Sequence, residues 1–297
     1  MTYLTVLIFI VGLCLGSFYN VVILRSLSGE SIVFPPSKCP KCGNRLKPWH
    51  NIPVLSYIFL RGKCAYCKEK ISIQYPIVEL LTGILFVAVF FKFGLSSITL
   101  FIILCLSCFI IMTGTDLKER IVDCRYAIAL IIAGFIYSFC VGGINLFKDA
   151  VIGAVIGFVI IEVISSLGLL LKKGRAMGEA DSYVAAALGA LVGYHDIWLV
   201  LLYSLIASMI FILPKFWYDR YKEKDALTLL LSALFIVSIS FNIYFRQAIW
   251  TYILLLITGV ILTVLIVKNM RTSVKLNYLP YVPALFAGLL YHIMFVI

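Results

Sequence analysis

Two aspartates far apart in the chain are the residues best suited to catalysis. Asp116 and Asp181 each lie in a short polar segment between long apolar stretches. Two carboxyl groups that share one proton can activate water against a peptide bond, because one acts as a base while the other donates a proton. A membrane protein that holds such a pair at one face is a candidate intramembrane aspartic protease.

Four cysteines form a second pattern. Cys39 and Cys42 make one CxxC pair, and Cys64 and Cys67 make another after 21 intervening residues. Two such pairs supply four thiolates, which is the ligand set of a tetrahedral zinc ion. A closed four-cysteine set leaves no open coordination position, so the pattern predicts structural zinc. Two disulfides are the alternative, which a reducing cytoplasm would disfavour.

Other polar and small residues give weaker indications. Glu79 and Asp123 are candidate substrate contacts, with an interfacial carboxylate and a turn residue as the respective alternatives. Gly178 and Ala180, beside the second aspartate, are small enough for a substrate strand to pass close to that carboxylate. Glu162 lies inside an apolar stretch, where a hydrogen bond between helices explains it better than catalysis does.

The elements that position these residues must be membrane helices. The chain has 297 residues, of which 63% are hydrophobic and 13% charged, and its mean hydropathy is +1.07. A soluble domain could not bury so much apolar surface. Basic loops on one side of a bilayer explain the net charge of +11, so nucleic acid is not expected as a partner. The sequence therefore predicts an all-α polytopic membrane protein embedded in the lipid bilayer.

Ten apolar stretches are candidate transmembrane helices. They cover residues 4–24, 76–93, 96–115, 125–142, 149–171, 182–193, 197–214, 226–245, 248–267 and 277–296. When alternate connections are assigned to opposite sides, 22 of the 25 lysines and arginines fall on one side and three on the other. The basic side is expected to be cytoplasmic. The prediction is a bundle of about 8–10 transmembrane helices, with the aspartates and a small zinc-binding module (residues 25–75) on the cytoplasmic side.

Longer motifs resemble those of one known family, the type IV prepilin peptidases, which are membrane aspartic proteases of the GxGD type. The resemblance covers most of residues 10–215 and the final span. The chain differs from the family at three positions: Val122 replaces the usual Pro, Ala180 replaces the usual Gly, and Tyr183 stands where Lys is often found. The matching motifs are residues 16–21, 51–57, 60–64, 71–83, 116–123, 177–181, 185–191 and 279–285, with Arg25 and both CxxC pairs.

This resemblance implies a domain plan and an activity. It divides the chain into an N-terminal span with the zinc module (1–90), a peptidase core (91–217) and C-terminal spans (218–297) that include an extra helix pair near 226–268. Asp116 and Asp181 would be the catalytic pair. Members of this family remove the leader from prepilin or pseudopilin precursors of type IV pili and type II secretion systems, at the cytoplasmic face of the inner membrane.

Many members also N-methylate the new terminus with S-adenosylmethionine. No GxGxxG nucleotide loop occurs in this chain, so methyl transfer and its cofactor follow from the resemblance alone. Two other functions stay open on the residues themselves. A proton-coupled transporter would need acids at mid-membrane depth, where only Glu162 lies. A non-catalytic zinc-bearing scaffold of a pilus or secretion system would not depend on the paired aspartates.

Overall fold

The computed structural model describes residues 2–172, 178–222, 226–244 and 280–296, together with part of the stretch between 250 and 261. These residues are almost entirely helical, and no β-sheet strand occurs among them. The predicted span at 248–267 and the beginning of the one at 277–296 lie largely outside the described residues.

Eight helices have described bounds, and a 3₁₀ turn at Pro48–Asn51 precedes the second of them. Long apolar runs explain their formation, since a helix satisfies its own backbone hydrogen bonds in lipid. The helices are α1 (Thr2–Ser28), α2 (Leu55–Phe59), α3 (Gln74–Phe93), α4 (Ser97–Glu119), α5 (Cys124–Lys172), α6 (Glu179–Lys222), α7 (Ala226–Tyr244) and α8 (Val282–Phe295).

Five helices are long and apolar enough to cross a membrane, namely α1, α3, α4 and large parts of α5 and α6. Shorter apolar helices cover Leu229–Phe241 and Val282–Phe295. The prediction of a multi-pass helical protein is therefore confirmed.

Glycines divide the two longest helices. The backbone leaves helical geometry at Gly142 and Gly143 in α5 and at Gly193 in α6. Gly143 and Gly193 have φ values of +61° and +79°, a region that side chains other than glycine rarely enter. The break at Gly193 lies at the predicted boundary between two spans. The break in α5 lies where the predicted span 125–142 ends, whereas the second half of the helix begins before the predicted start at residue 149.

Small residues let the helices meet backbone to backbone. The second half of α5 runs antiparallel to the first half of α6, with Gly153 against Gly189 and Gly157 against Ala185. A Cβ at Gly153 would lie 2.5 Å from the carbonyl oxygen of Gly189, so no side chain fits there. Close glycine contacts of this kind are typical of helices packed in lipid. They fix the first half of α6, which carries Asp181, against α5.

The last helix returns to the centre of the bundle. Phe286 of α8 stacks on Phe109 of α4, with ring centroids 5.7 Å apart and planes 2° from parallel. Gly288 packs against the Val200 backbone of α6, where a Cβ would lie 2.5 Å from the carbonyl oxygen. At the far end of α8, the Lys92 ammonium group donates a hydrogen bond of 2.9 Å to the carbonyl of Met294. Helix α8 thus packs between α4 and α6 along its length.

We predict that Gly189→Ala destabilises the protein by about 1–3 kcal/mol, because the new methyl group would meet the Gly153 backbone. Thermal unfolding of the purified protein in detergent measures this change. Val155→Ile is the matched control, since it adds one carbon to the same helix pair on an exposed face. Equal unfolding temperatures for wild type and Gly189→Ala would contradict the close contact.

Candidate active site and metal centre

Asp116 is held by a distant backbone group. It lies in the last turn of α4 and is only 5% exposed. Its Oδ2 atom accepts a hydrogen bond of 3.0 Å from the N–H of Val282, the first residue of α8. Arg120 ends α4 in a left-handed conformation, and its N–H donates to the Asp116 carbonyl at 3.0 Å. The beginning of α8 therefore orients the carboxyl group, whereas the Arg120 contact fixes the backbone at the end of α4.

Asp181 is held by its own helix. It lies in the first turn of α6 and is 6% exposed. Its Oδ2 atom accepts a hydrogen bond of 3.0 Å from the N–H of Gly178, three residues earlier. A carboxylate that reaches back to the residue before the helix is the acidic half of a capping box. The positive end of the helix dipole also favours a negative charge at this place.

The two aspartates meet at the beginning of α8. Asp116 interacts electrostatically with Asp181, and so does the half-buried Tyr281. Tyr281 directly precedes Val282, whose N–H binds Asp116. The two aspartates that the sequence analysis predicts as a pair thus lie close together at one end of the bundle. Sequence reasoning did not assign Tyr281 or Val282 to this site, although both belong to the Pro-containing motif at 279–285.

Glu162 contributes a contact between helices beside this site. Its Oε2 atom accepts a hydrogen bond of 2.8 Å from the hydroxyl of Ser182. Ser182 is buried and directly follows Asp181. The hydrogen bond joins α5 to α6, which agrees with the interpretation that the sequence favoured. Ser182 carried no signal in the sequence, since a serine inside a helix is common.

Asp123 caps a helix. Its Oδ1 atom accepts a hydrogen bond of 3.0 Å from the N–H of Arg125, in the first turn of α5. The Arg125 guanidinium group also forms an ion pair of 2.7 Å with it. These hydrogen bonds hold the pKa of the Asp123 carboxyl below its usual range. The contacts favour the turn residue that the sequence kept as an alternative, and substrate contact by Asp123 stays a prediction.

The small residues beside Asp181 differ in their surroundings. Gly178 is exposed, and a Cβ there would lie 3.6 Å from Oδ2 of Asp181, which is an ordinary contact. Ala180 is half-buried. The space next to Gly178 is therefore open, and the passage of a substrate strand along these two residues stays a prediction.

Glu79 connects three parts of the molecule. It is buried in the second turn of α3, and its Oε2 atom accepts a hydrogen bond of 2.7 Å from the N–H of Val54. Its side chain also hydrogen-bonds Ser17 of α1. Gly16 leaves room for this contact, since a Cβ there would lie 2.8 Å from the Cα atom of Glu79. Glu79 thus ties the cysteine module to α1 and α3, and its predicted contact with substrate stays a prediction.

The four cysteines of the module form one cluster. The sulfur atoms of Cys39, Cys42, Cys64 and Cys67 all lie within 4.8 Å of one another, and none is in a disulfide. The Cys39 and Cys67 sulfurs are 3.8 Å apart. A tetrahedral ion with Zn–S bonds of about 2.3 Å needs sulfur separations of about 3.8 Å. The cluster therefore fits a structural zinc ion.

Each cysteine pair forms the same turn. The N–H of Gly43 donates to the Cys39 carbonyl at 2.9 Å, and the N–H of Lys68 donates to the Cys64 carbonyl at 3.1 Å. Gly43 and Lys68 have left-handed φ values of +71° and +61°. Backbone N–H groups of the second turn lower the pKa of the Cys64 thiol to about 7. Lowering this pKa favours the thiolate, which is the form that binds zinc.

Two family models match adjacent parts of the chain. The bacterial peptidase A24 N-terminal domain matches residues 10–93, and the type IV leader peptidase family matches residues 102–213. The prepilin leader peptidase/N-methyltransferase of Neisseria gonorrhoeae is 35% identical over 68% of this chain and 78% of its own length. The chain belongs to the type IV leader peptidase family.

Other relatives in this family have the same name. The protein of Xanthomonas campestris pv. campestris is 36% identical over 67% of this chain and 77% of its own length. The protein of Myxococcus xanthus is 37% identical over 67% of this chain, which spans 59% of that relative. No solved structure matches. The A24 N-terminal match contains all four cysteines and Glu79, whereas the leader peptidase match contains both aspartates.

We predict that the purified protein carries about one zinc ion per chain, because four thiolates complete its coordination. Replacing Cys39 and Cys64 together by serine should abolish zinc binding, as measured by elemental analysis, and lower the unfolding temperature. Cys14→Ser is the matched control, since Cys14 lies in α1 outside the cluster. Zinc-free wild-type protein that unfolds at the same temperature as the zinc-loaded form would disprove a structural ion.

Proposed function

We propose that this protein removes the leader peptide from prepilin-like precursors, with Asp116 and Asp181 as the pair that activates water. One observation carries the proposal: two buried carboxyl groups converge at one end of a helical bundle in a member of the type IV leader peptidase family. Both aspartates lie within the residues that match this family. The relatives are named for prepilin leader cleavage, which supports the choice of substrate.

The mechanism uses one carboxyl in each protonation state. The ionised aspartate takes a proton from water, and the water oxygen attacks the carbonyl carbon of the scissile peptide bond. The protonated aspartate donates its proton to the carbonyl oxygen. When the tetrahedral intermediate collapses, the C–N bond breaks and the leaving amine takes the proton that the first aspartate had gained. A hydroxyl group of the intermediate returns a proton to the second aspartate, so that both carboxyl groups regain their starting states.

The hydrogen bonds of the two side chains suit this chemistry. Among the described residues, the backbone donors Val282 and Gly178 each bind an Oδ2 atom. This arrangement fixes both carboxyl planes and leaves the Oδ1 atoms to bind water and substrate. Because the donors are main-chain groups on helix ends, they need no rearrangement during the reaction.

The bilayer would deliver the peptide bond to this site. An apolar substrate helix would lie in lipid beside the bundle, with its leader at the membrane surface. The distribution of lysine and arginine supports a position of this surface on the cytoplasmic side of the inner membrane. Glu119 and Glu179 are exposed near the two aspartates, where their charges would attract a basic leader.

The proposed division into domains is the one that the sequence analysis predicts. Residues 1–90 would supply the first span and the zinc module that presents the leader, residues 91–217 the peptidase core, and residues 218–297 the C-terminal spans. The beginning of α8 supports a role of this last region at the site, because Val282 binds Asp116.

We further propose that the new amino terminus is methylated, since the relatives are also named as N-methyltransferases. S-adenosylmethionine would supply the methyl group. We assign no residue to its binding, because none of the described residues forms a recognisable nucleotide loop.

The rival functions have less support. A transporter requires acids that change partners at mid-depth, whereas Glu162 is hydrogen-bonded to Ser182. Burying two carboxyl groups beside each other costs free energy. A scaffold has no use for such a pair, so the pair argues against that function.

We predict that Asp116→Asn and Asp181→Asn each abolish cleavage of a co-expressed prepilin, because an amide can neither accept the proton of water nor share one with the other aspartate. A gel-mobility assay of the prepilin measures the result, with membrane insertion checked in parallel. Asp149→Asn is the matched control, since Asp149 lies on α5 near Gly193, away from the site. Normal processing by either site variant would rule out the pair.

We predict that a pilin matured by this protein lacks its leader and carries one methyl group on its new amino terminus. Mass spectrometry of the mature terminus reports the cleavage point and the methyl group together. The cleaved but unmethylated terminus would contradict methyl transfer while leaving the peptidase intact.

A further inference from the structure

The short helix α2 exposes an apolar face. Leu55, Ile58 and Phe59 are 51%, 61% and 81% exposed. Their spacing places the three side chains on one side of the helix. Tyr57, on another side, packs against Gly62, where a Cβ would lie 3.0 Å from the tyrosine ring. The apolar face of α2 therefore points away from the zinc module instead of into it.

A hydrogen bond fixes the position of α2 beside the first turns of α3. Val54, the residue before α2, donates its N–H to Glu79 in the second turn of α3. The exposed residues in the first turns of α3 are also apolar, among them Ile77 and Leu80. Because α3 is a membrane-crossing helix, these residues mark where the lipid-facing surface begins. The apolar face of α2 continues that surface.

Exposed basic residues follow the same helix in the chain. Arg61 and Lys63 are exposed directly after α2. The whole segment from residue 25 to 75 contains nine basic and only two acidic residues. Positive charge beside an apolar face complements a bilayer with anionic headgroups. At α2 itself, Arg61 and Lys63 would repel a basic leader peptide, so the charge argues against the leader as the occupant of this one face of the module.

We propose that α2 is an interfacial anchor, in which Leu55, Ile58 and Phe59 enter the boundary between headgroups and acyl chains while Arg61 and Lys63 contact anionic headgroups. Five residues would bind a membrane weakly in isolation. Here both flanking helices, α1 and α3, already hold the module at the surface, so that little entropy is lost when α2 inserts. The anchor sets the height of the zinc module above the bilayer, independently of the peptidase activity.

Photolabelling of the wild-type protein tests this proposal. The full chain is placed in nanodiscs that contain a phospholipid with a photoreactive diazirine on its acyl chain, and labelled positions are mapped by mass spectrometry after tryptic digestion. The expected result is labelling at residues 55–59 at least fivefold above that at residues 39–47, which lie around the first cysteine pair. Equal labelling of the two segments overturns the proposal.

Two further labelling experiments distinguish lipid from other possible occupants of the apolar face of α2. Adding a prepilin should leave the labelling of residues 55–59 unchanged, whereas its loss would assign the face to the substrate and overturn the anchor. Replacing neutral by anionic phospholipid should raise the labelling at least twofold, and Arg61→Gln with Lys63→Gln should cancel that rise. An anionic lipid that makes no difference in the wild type would overturn the headgroup contacts.

Discussion

Carboxyl groups inside an apolar bundle need hydrogen-bond donors, because an unpaired charge there is too costly to keep. This constraint shapes the surroundings of the two aspartates. Gly178 supplies a donor to Asp181 from the same helix end, but Asp116 receives its donor from Val282, 166 positions away in the chain. The chain must therefore return to the end of α4 after α7. Helix α8 makes that return and brings Tyr281 next to Asp181.

Two tight helix pairs support the ends of this arrangement. Glycine contacts hold α5 against the first half of α6 and so place Asp181. A second pair, α1 and α3, meets at Gly12 and Gly83, and Glu79 of this pair binds the zinc module through Val54. The metal cluster and the aspartates are thus attached to different helix pairs at the same end of the bundle.

Local patterns predicted much of this architecture. Long apolar runs indicated the helices, and the polar break at Gly193 indicated the division of α6, since both depend only on neighbouring residues. The break at Gly142 and Gly143 lies at the predicted end of a span, but the helix resumes before residue 149, because the polar residues that suggested a longer connection are also compatible with a helix. Two CxxC pairs predicted the cluster, since two short turns that share one metal ion leave few other arrangements. Asp123 carried two interpretations in the sequence, and its pairing with Arg125 favours the cap.

The sequence by itself determined which side chains can do chemistry, where the spans lie, and on which side the basic loops should be. Only the tertiary structure decided the partners of those side chains: Val282 for Asp116, Ser182 for Glu162, and Val54 for Glu79. It also decided that the apolar face of α2 is exposed. The physical reason is that composition and periodicity are local properties of the chain, whereas a hydrogen bond between distant residues depends on how closely the helices pack and in which register.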